Sequence, residues 1–85
     1  MKPKSTPDER FLIKVYETAM ENGDPHSLVD YRSVAAAIGQ KETAIKNIIK
    51  HLAQANFLKK SDETTLYLTE RGCDFVLDAL ESNRS

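Results

Sequence analysis

Apolar residues recur every three or four positions in four segments of the chain, and this spacing predicts four amphipathic helices. The first helix is expected to begin at the sequence TPDE of residues 6–9, because threonine caps a helix, proline suits its first turn and the glutamate can close a capping box. It should end at the sequence NGDP of residues 22–25. The predicted inward residues are Leu12, Val15, Tyr16 and Ala19. Leu28-Val29 is long enough only for a short edge strand.

Two further helices follow with almost no residues between them. The second is expected to start with Asp30 as its cap and to stop at Gly39, with Tyr31, Val34, Ala35 and Ile38 directed inward. The third should begin around Lys41 or Glu42 and end at Asn56, a residue that tolerates left-handed backbone. Its predicted inward residues are Ile45, Ile48, Ile49 and Leu52.

A hairpin and a last helix complete the pattern. Residues 57–60 and 65–68 are predicted strands that flank the polar four-residue loop Ser61–Thr64. Thr69 is expected to cap a helix whose Cys73, Val76, Leu77 and Leu80 point inward. The predicted order is therefore helix, strand, helix, helix, strand, strand, helix: mainly α with a small β-hairpin. We expect a single domain over residues 6–82, with flexible termini at 1–5 and 83–85.

Three local sequences in this order resemble the winged helix-turn-helix transcription regulators of bacteria and archaea, such as the arsenic-repressor and multiple-antibiotic-resistance-repressor groups. Residues 34–39 (VAAAIG) resemble the scaffold helix, residues 43–52 the recognition helix, and residues 68–72 (LTERG) the end of the wing and the start of the last helix. The resemblance covers about Val29 to Gly72 and matches no single subfamily. It implies a winged-helix fold and DNA binding.

The chain departs from that family in two places. Asn56 stands where a glycine usually follows the recognition helix. The predicted wing tip contains Asp62 and Glu63, where DNA-binding wings commonly have arginine or lysine. Carboxylates repel phosphates, so we expect the tip to stand away from DNA. Both acids are expected to be exposed loop residues whose replacement changes stability little.

The net charge of −1 hides a strong segregation of charge along the chain. Residues 41–60 contain five lysines and one acid, whereas residues 61–85 contain two basic and six acidic residues. If the third helix buries its isoleucines, its opposite face presents Thr43, Lys46, Asn47 and Lys50. The candidate DNA-binding residues are Lys41, Thr43, Lys46, Asn47, Lys50, Lys59 and Lys60. The alternative interpretation of this face is a solvated helix surface.

Other chemistry has less support in the sequence. His26 and His51 lack partners at metal-ligand spacing, so surface histidines are favoured over a metal site. The lone Cys73 is favoured as a buried thiol over a redox sensor. Nothing resembles a phosphate-binding loop or a nucleophile with its base, and we expect neither enzymatic activity nor a cofactor.

Self-association and localisation are open to prediction as well. The first and last helices contain more apolar residues than one inward stripe accounts for, namely Phe11, Ile13 and Met20 on the first and Phe75 and Ala79 on the last. They indicate either a broad buried face or a homodimer interface, for which Phe11, Ile13, Phe75 and Ala79 are the candidates.

Lys2 and Lys4 could form a basic arm or a disordered terminus. The apparent absence of a signal peptide or membrane span, with a single cysteine, favours the cytoplasm.

These observations predict a small transcription regulator that binds double-stranded DNA, as a dimer joined through its terminal helices. The helix from about residue 41 to 55 would read the major groove. The alternative is a protein-interaction winged helix, an adaptor or small subunit that does not bind DNA. The acidic wing, the acidic termini and the modest total charge favour this alternative.

Overall fold

The computed structural model describes residues 6–82. Its elements are α1 (Pro7–Glu21), β1 (Val29–Asp30), α2 (Tyr31–Ile38), α3 (Glu42–Gln54), β2 (Leu58–Lys60), β3 (Thr65–Leu68) and α4 (Glu70–Ser82). This order confirms the predicted succession of helices and strands and gives a winged-helix-like arrangement. The predicted flexible termini and the Lys2–Lys4 arm lie outside the described residues.

Local signals set the helix boundaries. Thr6 and Glu9 form the predicted capping box, in which the threonine hydroxyl accepts the Glu9 N–H at 3.1 Å. Asp30 caps α2 by accepting the Arg32 N–H at 2.8 Å. Gly39 ends α2 with φ +71°, a left-handed conformation that favours glycine. These short-range contacts explain why the sequence predicts the helix ends well.

The three strands form one antiparallel sheet in the order β1-β3-β2. Leu58 pairs with Leu68 and Lys60 pairs with Leu66, so the loop Ser61–Thr64 closes the predicted hairpin. On the other side of β3, Val29 pairs with Leu66, which places β1 at an edge of the sheet as predicted. The hairpin therefore extends directly from the end of α3 and forms the wing.

The core lies between the helices and the inner face of the sheet. Its buried residues are Phe11, Leu12, Val15, Ala19, Val29, Tyr31, Val34, Ala35, Ile45, Ile48, Ile49, Leu52, Leu58, Leu66, Leu68, Cys73 and Val76. Two sequence predictions are corrected here. Phe11 is fully buried and so is not part of a surface for a second copy. Leu77, predicted inward, is 49% exposed, because the stripe through Cys73 and Val76 already fills the face of α4 that meets the core.

The other three candidates for a dimer surface are also partly covered within the chain. Ile13 and Phe75 are half-buried and pack against the core. The Phe75 ring lies 4.9 Å from the Phe57 ring, centroid to centroid. Ala79 is half-buried. Most of the extra apolar residues on α1 and α4 therefore belong to a broad buried face. Met20 is the exception, since it is 46% exposed.

A compact junction fixes the wing relative to α3. Asn56 has φ +65°, the left-handed conformation predicted for it, and the chain then turns back so that the Phe57 N–H donates to the Leu52 carbonyl at 3.0 Å. The Thr69 hydroxyl donates to the Asn56 carbonyl and accepts the Gly72 N–H at 3.1 Å. Thr69 thus caps α4, as predicted, and ties the start of α4 to the end of α3.

Gly72 completes this junction for a steric reason. A Cβ at this position would overlap the Phe57 carbonyl oxygen and approach its carbonyl carbon to 2.9 Å. The obstacle is backbone, which cannot rotate away as a side chain can. A glycine is therefore required where α4 passes the entry to β2, which gives a physical reason for the last residue of the LTERG sequence.

The wing tip corrects another prediction. One carboxylate oxygen of Asp62 accepts the backbone N–H groups of Thr64 and Thr65, at 3.0 and 3.1 Å. These hydrogen bonds, first that from the Thr64 N–H and then those from Thr65, hold the pKa of Asp62 below its ordinary value. Asp62 is exposed as predicted, but it organises the turn through these hydrogen bonds, so we now expect its replacement to lower stability. Glu63 is exposed.

None of the helices in residues 6–82 combines the length and apolar character needed to cross a membrane.

Candidate nucleic-acid interface

The outer face of α3 presents the predicted polar residues to solvent. Ile45, Ile48, Ile49 and Leu52 are buried, which fixes the rotation of the helix about its axis. Thr43, Lys46, Asn47 and Lys50 are all exposed on the remaining face. The sequence thus predicted this face of α3 correctly, because a single apolar stripe determines both sides of a helix.

At its N-terminus α3 starts without a side-chain cap. Lys41 occupies the cap position with extended backbone, and its side chain accepts no hydrogen bond because an ammonium group is only a donor. The first N–H groups of α3 therefore lack the partner that a Ser, Thr, Asp or Asn would supply. Beside them, a groove of about 230 Å³ lies between α2 and α3, with Arg32, Gln40 and Glu42 among its lining residues. This groove between α2 and α3 therefore contains both a positively charged side chain, Arg32, and a negatively charged one, Glu42.

The two lysines of β2 separate from each other, since successive side chains of a strand point to opposite faces. Lys60 lines a groove of about 470 Å³ against α3, which we term the α3–β2 groove; its lining residues are Tyr31, Lys46, Ile49, Lys50, Ala53 and Lys60. Lys59 lines a different groove, against the start of α4, together with Asn56, Thr69, Glu70, Arg71 and Asp74. The two candidate DNA-binding residues Lys59 and Lys60 therefore lie on different surfaces.

Tyr31 has a second role that sequence reasoning missed. Its ring is only 5% exposed and was predicted correctly as a core residue. The Lys60 ammonium nitrogen lies 5.8 Å from the centre of this ring, within the range of a cation–π contact. Such a contact at an exposed site contributes about 0.5–1 kcal/mol. Tyr31 thus holds Lys60 beside α3. The feature of the sequence that could have indicated this role is an aromatic residue directly after the Asp30 cap.

No acidic side chain neutralises the lysines of this surface within residues 6–82. The ion pairs there join Lys14 to Glu17 at 3.7 Å and Arg32 to Asp30 at 3.6 Å. Every charged residue that lines the α3–β2 groove is a lysine. The groove is therefore a surface of uncompensated positive charge with an apolar and aromatic floor.

A cysteine of α4 and a histidine of the α1–β1 loop lie close together. Cys73 is 8% exposed, as predicted, and its sulfur lies 4.0 Å from Nδ1 of His26. That nitrogen is 2.7 Å from the Leu68 carbonyl oxygen, so Nδ1 must bear the proton and donate it. It cannot accept a proton from the thiol. Burial, followed by the nearby carboxylates Asp74, Asp24 and Glu70, raises the pKa of Cys73.

This pair therefore lacks the arrangement of an activated nucleophile, which needs a depressed thiol pKa and a free base. His26 is exposed but ties the α1–β1 loop to the end of β3, and His51 lies on the exposed surface of α3. Among the described residues, no three histidine, cysteine or carboxylate side chains come together as a metal site.

The arrangement of the elements defines a winged-helix-like α+β domain with a basic surface along its third helix and the adjacent strand. Comparisons of the chain with models of known protein families, with curated proteins and with solved structures found no match.

Proposed function

We propose that this protein is a DNA-binding winged-helix domain, acting as a small transcription regulator that inserts α3 into the major groove of double-stranded DNA. The observation that best supports this function is the exposed face of α3, where Lys46, Asn47 and Lys50 stand on one side of a helix that is firmly packed on the other. Lysines there would neutralise phosphates, and Asn47 could pair with an adenine edge.

Two features of the geometry add to this proposal. Lys41 and Thr43 stand at the N-terminus of α3, the end with which such helices approach base edges. Lys60 adds a positive charge from the wing on the same side as Lys46 and Lys50. The regulator would act in the cytoplasm and would need neither a cofactor nor catalysis.

A titration against random duplex DNA at several salt concentrations tests the function. Each phosphate contact releases about 0.9 counterions from B-DNA, so about three to five contacts give a log–log slope of roughly −3 to −5. A flat salt response, or no binding near 50 mM salt, would remove the DNA proposal.

A second candidate function is a protein-interaction domain that does not bind DNA. It is favoured by the acidic wing tip and by a row of exposed acids on α4, namely Glu70, Asp74, Asp78 and Glu81. These acids would recognise a basic partner protein. Retention on an anion-exchange resin but not on heparin at low salt would favour this candidate.

Self-association remains a separate proposal. With Phe11 buried, we place the interface of a two-fold dimer on the outer part of α4, where Leu77 is exposed beside the half-buried Phe75 and Ala79. Leu77→Lys tests this surface better than Phe75→Lys, because Phe75 packs on Phe57 within the same chain. Sedimentation should then change from dimer to monomer. A parent protein that is monomeric at high concentration would end the dimer proposal.

A further inference from the structure

The α3–β2 groove combines features that a solvated helix face does not need. Lys46 and Lys50 lie four residues apart on α3, and Lys60 approaches them from the wing. Like charges at this spacing on a helix repel each other. The cation–π contact with Tyr31 further keeps Lys60 beside this pair of lysines. The three charges therefore converge although no acid lines the groove.

The floor of the groove strengthens its preference for an anion. Ile49, Ala53 and the Tyr31 ring contribute apolar and aromatic surface between the lysines. Apolar atoms beside a bound anion would displace some of its water, which lowers the local dielectric constant and strengthens charge–charge interactions. Its size, about 470 Å³, admits a phosphate group with its neighbouring atoms.

We propose that the α3–β2 groove is a phosphate site, and that it holds neighbouring phosphodiester groups of one DNA strand while α3 lies in the adjacent major groove. The identity of this ligand rests on the proposed function. Lys46 and Lys50 each contact a phosphate from the helix, and Lys60 contacts one from the wing. The wing then binds DNA through the base of its first strand, and its acidic tip remains outside.

The chain offers a matched control for this proposal. Lys59 and Lys60 are adjacent on β2, both are exposed, and only Lys60 lines the α3–β2 groove. Lys60→Gln and Lys59→Gln change the net charge by the same amount and keep most of the side-chain stem. A difference between them thus reports position and not total charge. Lys50→Gln tests the same groove from the helix side, and circular dichroism verifies that each variant folds.

The first measurement is the salt dependence of binding to a short random duplex. For Lys60→Gln we expect the slope to become shallower by about 0.9, the value for one lost phosphate contact on B-DNA. Lys50→Gln should give a similar loss, whereas Lys59→Gln should retain the parent slope. If the parent binds with a steep slope but Lys60→Gln and Lys59→Gln behave alike, the phosphate site is wrong and the proposed function stands.

The second measurement uses inorganic tripolyphosphate and needs no DNA. It should raise the melting temperature of the parent and of Lys59→Gln, and raise it less for Lys60→Gln. If this difference appears without any duplex binding, the groove is a site for free phosphate, and both the DNA ligand and the proposed function are refuted. If neither tripolyphosphate nor duplex DNA binds, the phosphate site and the proposed function both fail.

Discussion

Replacing Gly72 with alanine tests how tightly the wing is joined to α3 and α4. The new Cβ would overlap the Phe57 carbonyl and lie 3.3 Å from the Phe57 Cα. The new Cβ is attached directly to the backbone of α4, and the atoms it meets are backbone atoms of Phe57 at the entry to β2, so one of these two segments must move. The same Phe57 carbonyl accepts the Thr69 N–H at 3.2 Å, so a shift that relieves the overlap also weakens this hydrogen bond.

Opposing terms determine the size of the effect. Overpacking costs about 1–3 kcal/mol, and loss of the Thr69–Phe57 hydrogen bond adds about 0.5–1.5 kcal/mol. Alanine is favoured over glycine within a helix by at most about 1 kcal/mol, which offsets only part of this. With the full offset of about 1 kcal/mol, we expect the free energy of unfolding to fall by about 0.5–3.5 kcal/mol. For a domain of this size the melting temperature should fall by roughly 4–8 °C for each kcal/mol lost.

Thermal and urea unfolding followed by circular dichroism measure this change. Gly39→Ala is the matched control, because a Cβ there meets nothing within 4 Å and the cost comes from the left-handed φ of +71° alone. Amide chemical shifts should change around residues 57–60 in Gly72→Ala and around the α2–α3 turn in Gly39→Ala. A Gly72→Ala variant as stable as the parent would refute the steric argument.

Three other predictions follow from the site and the wing. Lys46→Gln should make the salt slope shallower by about one on every DNA sequence, whereas Asn47→Ala should cost about 1–3 kcal/mol on the preferred site alone; equal effects on all sequences would contradict the role of Asn47. Native Cys73 should react with a thiol reagent at neutral pH much more slowly than in urea, because its pKa is raised; equal rates would contradict its burial. Because we expect the wing tip to stand away from DNA, Glu63→Lys should leave the salt slope unchanged; a steeper slope would show that the tip approaches DNA. Asp62→Lys should lower the stability of the fold, and Asp62→Asn, which keeps an acceptor oxygen, should lower it less.

The lowered pKa of Asp62 and the raised pKa of Cys73 act on stability at opposite ends of the pH range. The Asp62 contribution is present above the ordinary carboxyl pKa and is lost as the pH falls through the lowered folded value. For Cys73, the folded state favours the neutral thiol, so its contribution is present below the ordinary thiol pKa and is lost as the pH rises through the raised folded value. Unfolding midpoints across the pH range measure both effects.

Sequence reasoning was most successful where structure depends on near neighbours. The cap at Asp30, the left-handed residues Gly39 and Asn56 and the four-residue hairpin loop each depend on contacts within a few residues. The exposed face of α3 was likewise predictable, because one apolar stripe determines which side is buried. These local rules were sufficient for the order of elements and for the candidate residues of α3.

Predictions failed where the answer depends on how distant elements pack. The width of the buried face between α1 and α4 decides that Phe11 is covered and Leu77 is not, and a helical repeat alone cannot measure that width. The hydrogen bonds of Asp62 depend on the geometry of a turn that its composition only suggests. The steric need for Gly72 arises from a residue fifteen positions earlier in the chain, Phe57.

The division of Lys59 from Lys60 changes the expected strength of DNA binding as well as its geometry. Counted along the sequence, five lysines between residues 41 and 60 could each neutralise a phosphate. In the folded chain Lys59 lines a groove against α4, together with Arg71, Glu70 and Asp74, and does not line the α3–β2 groove. Four lysines then remain for the interface, and at about 0.9 counterions each the salt slope should be about −3.6, against about −4.5 for five. The alternation of side chains along β2 thus reduces the number of lysines that can contact DNA, although the basic segment looks continuous in the sequence. Comparing Lys59→Gln with Lys60→Gln measures this reduction directly.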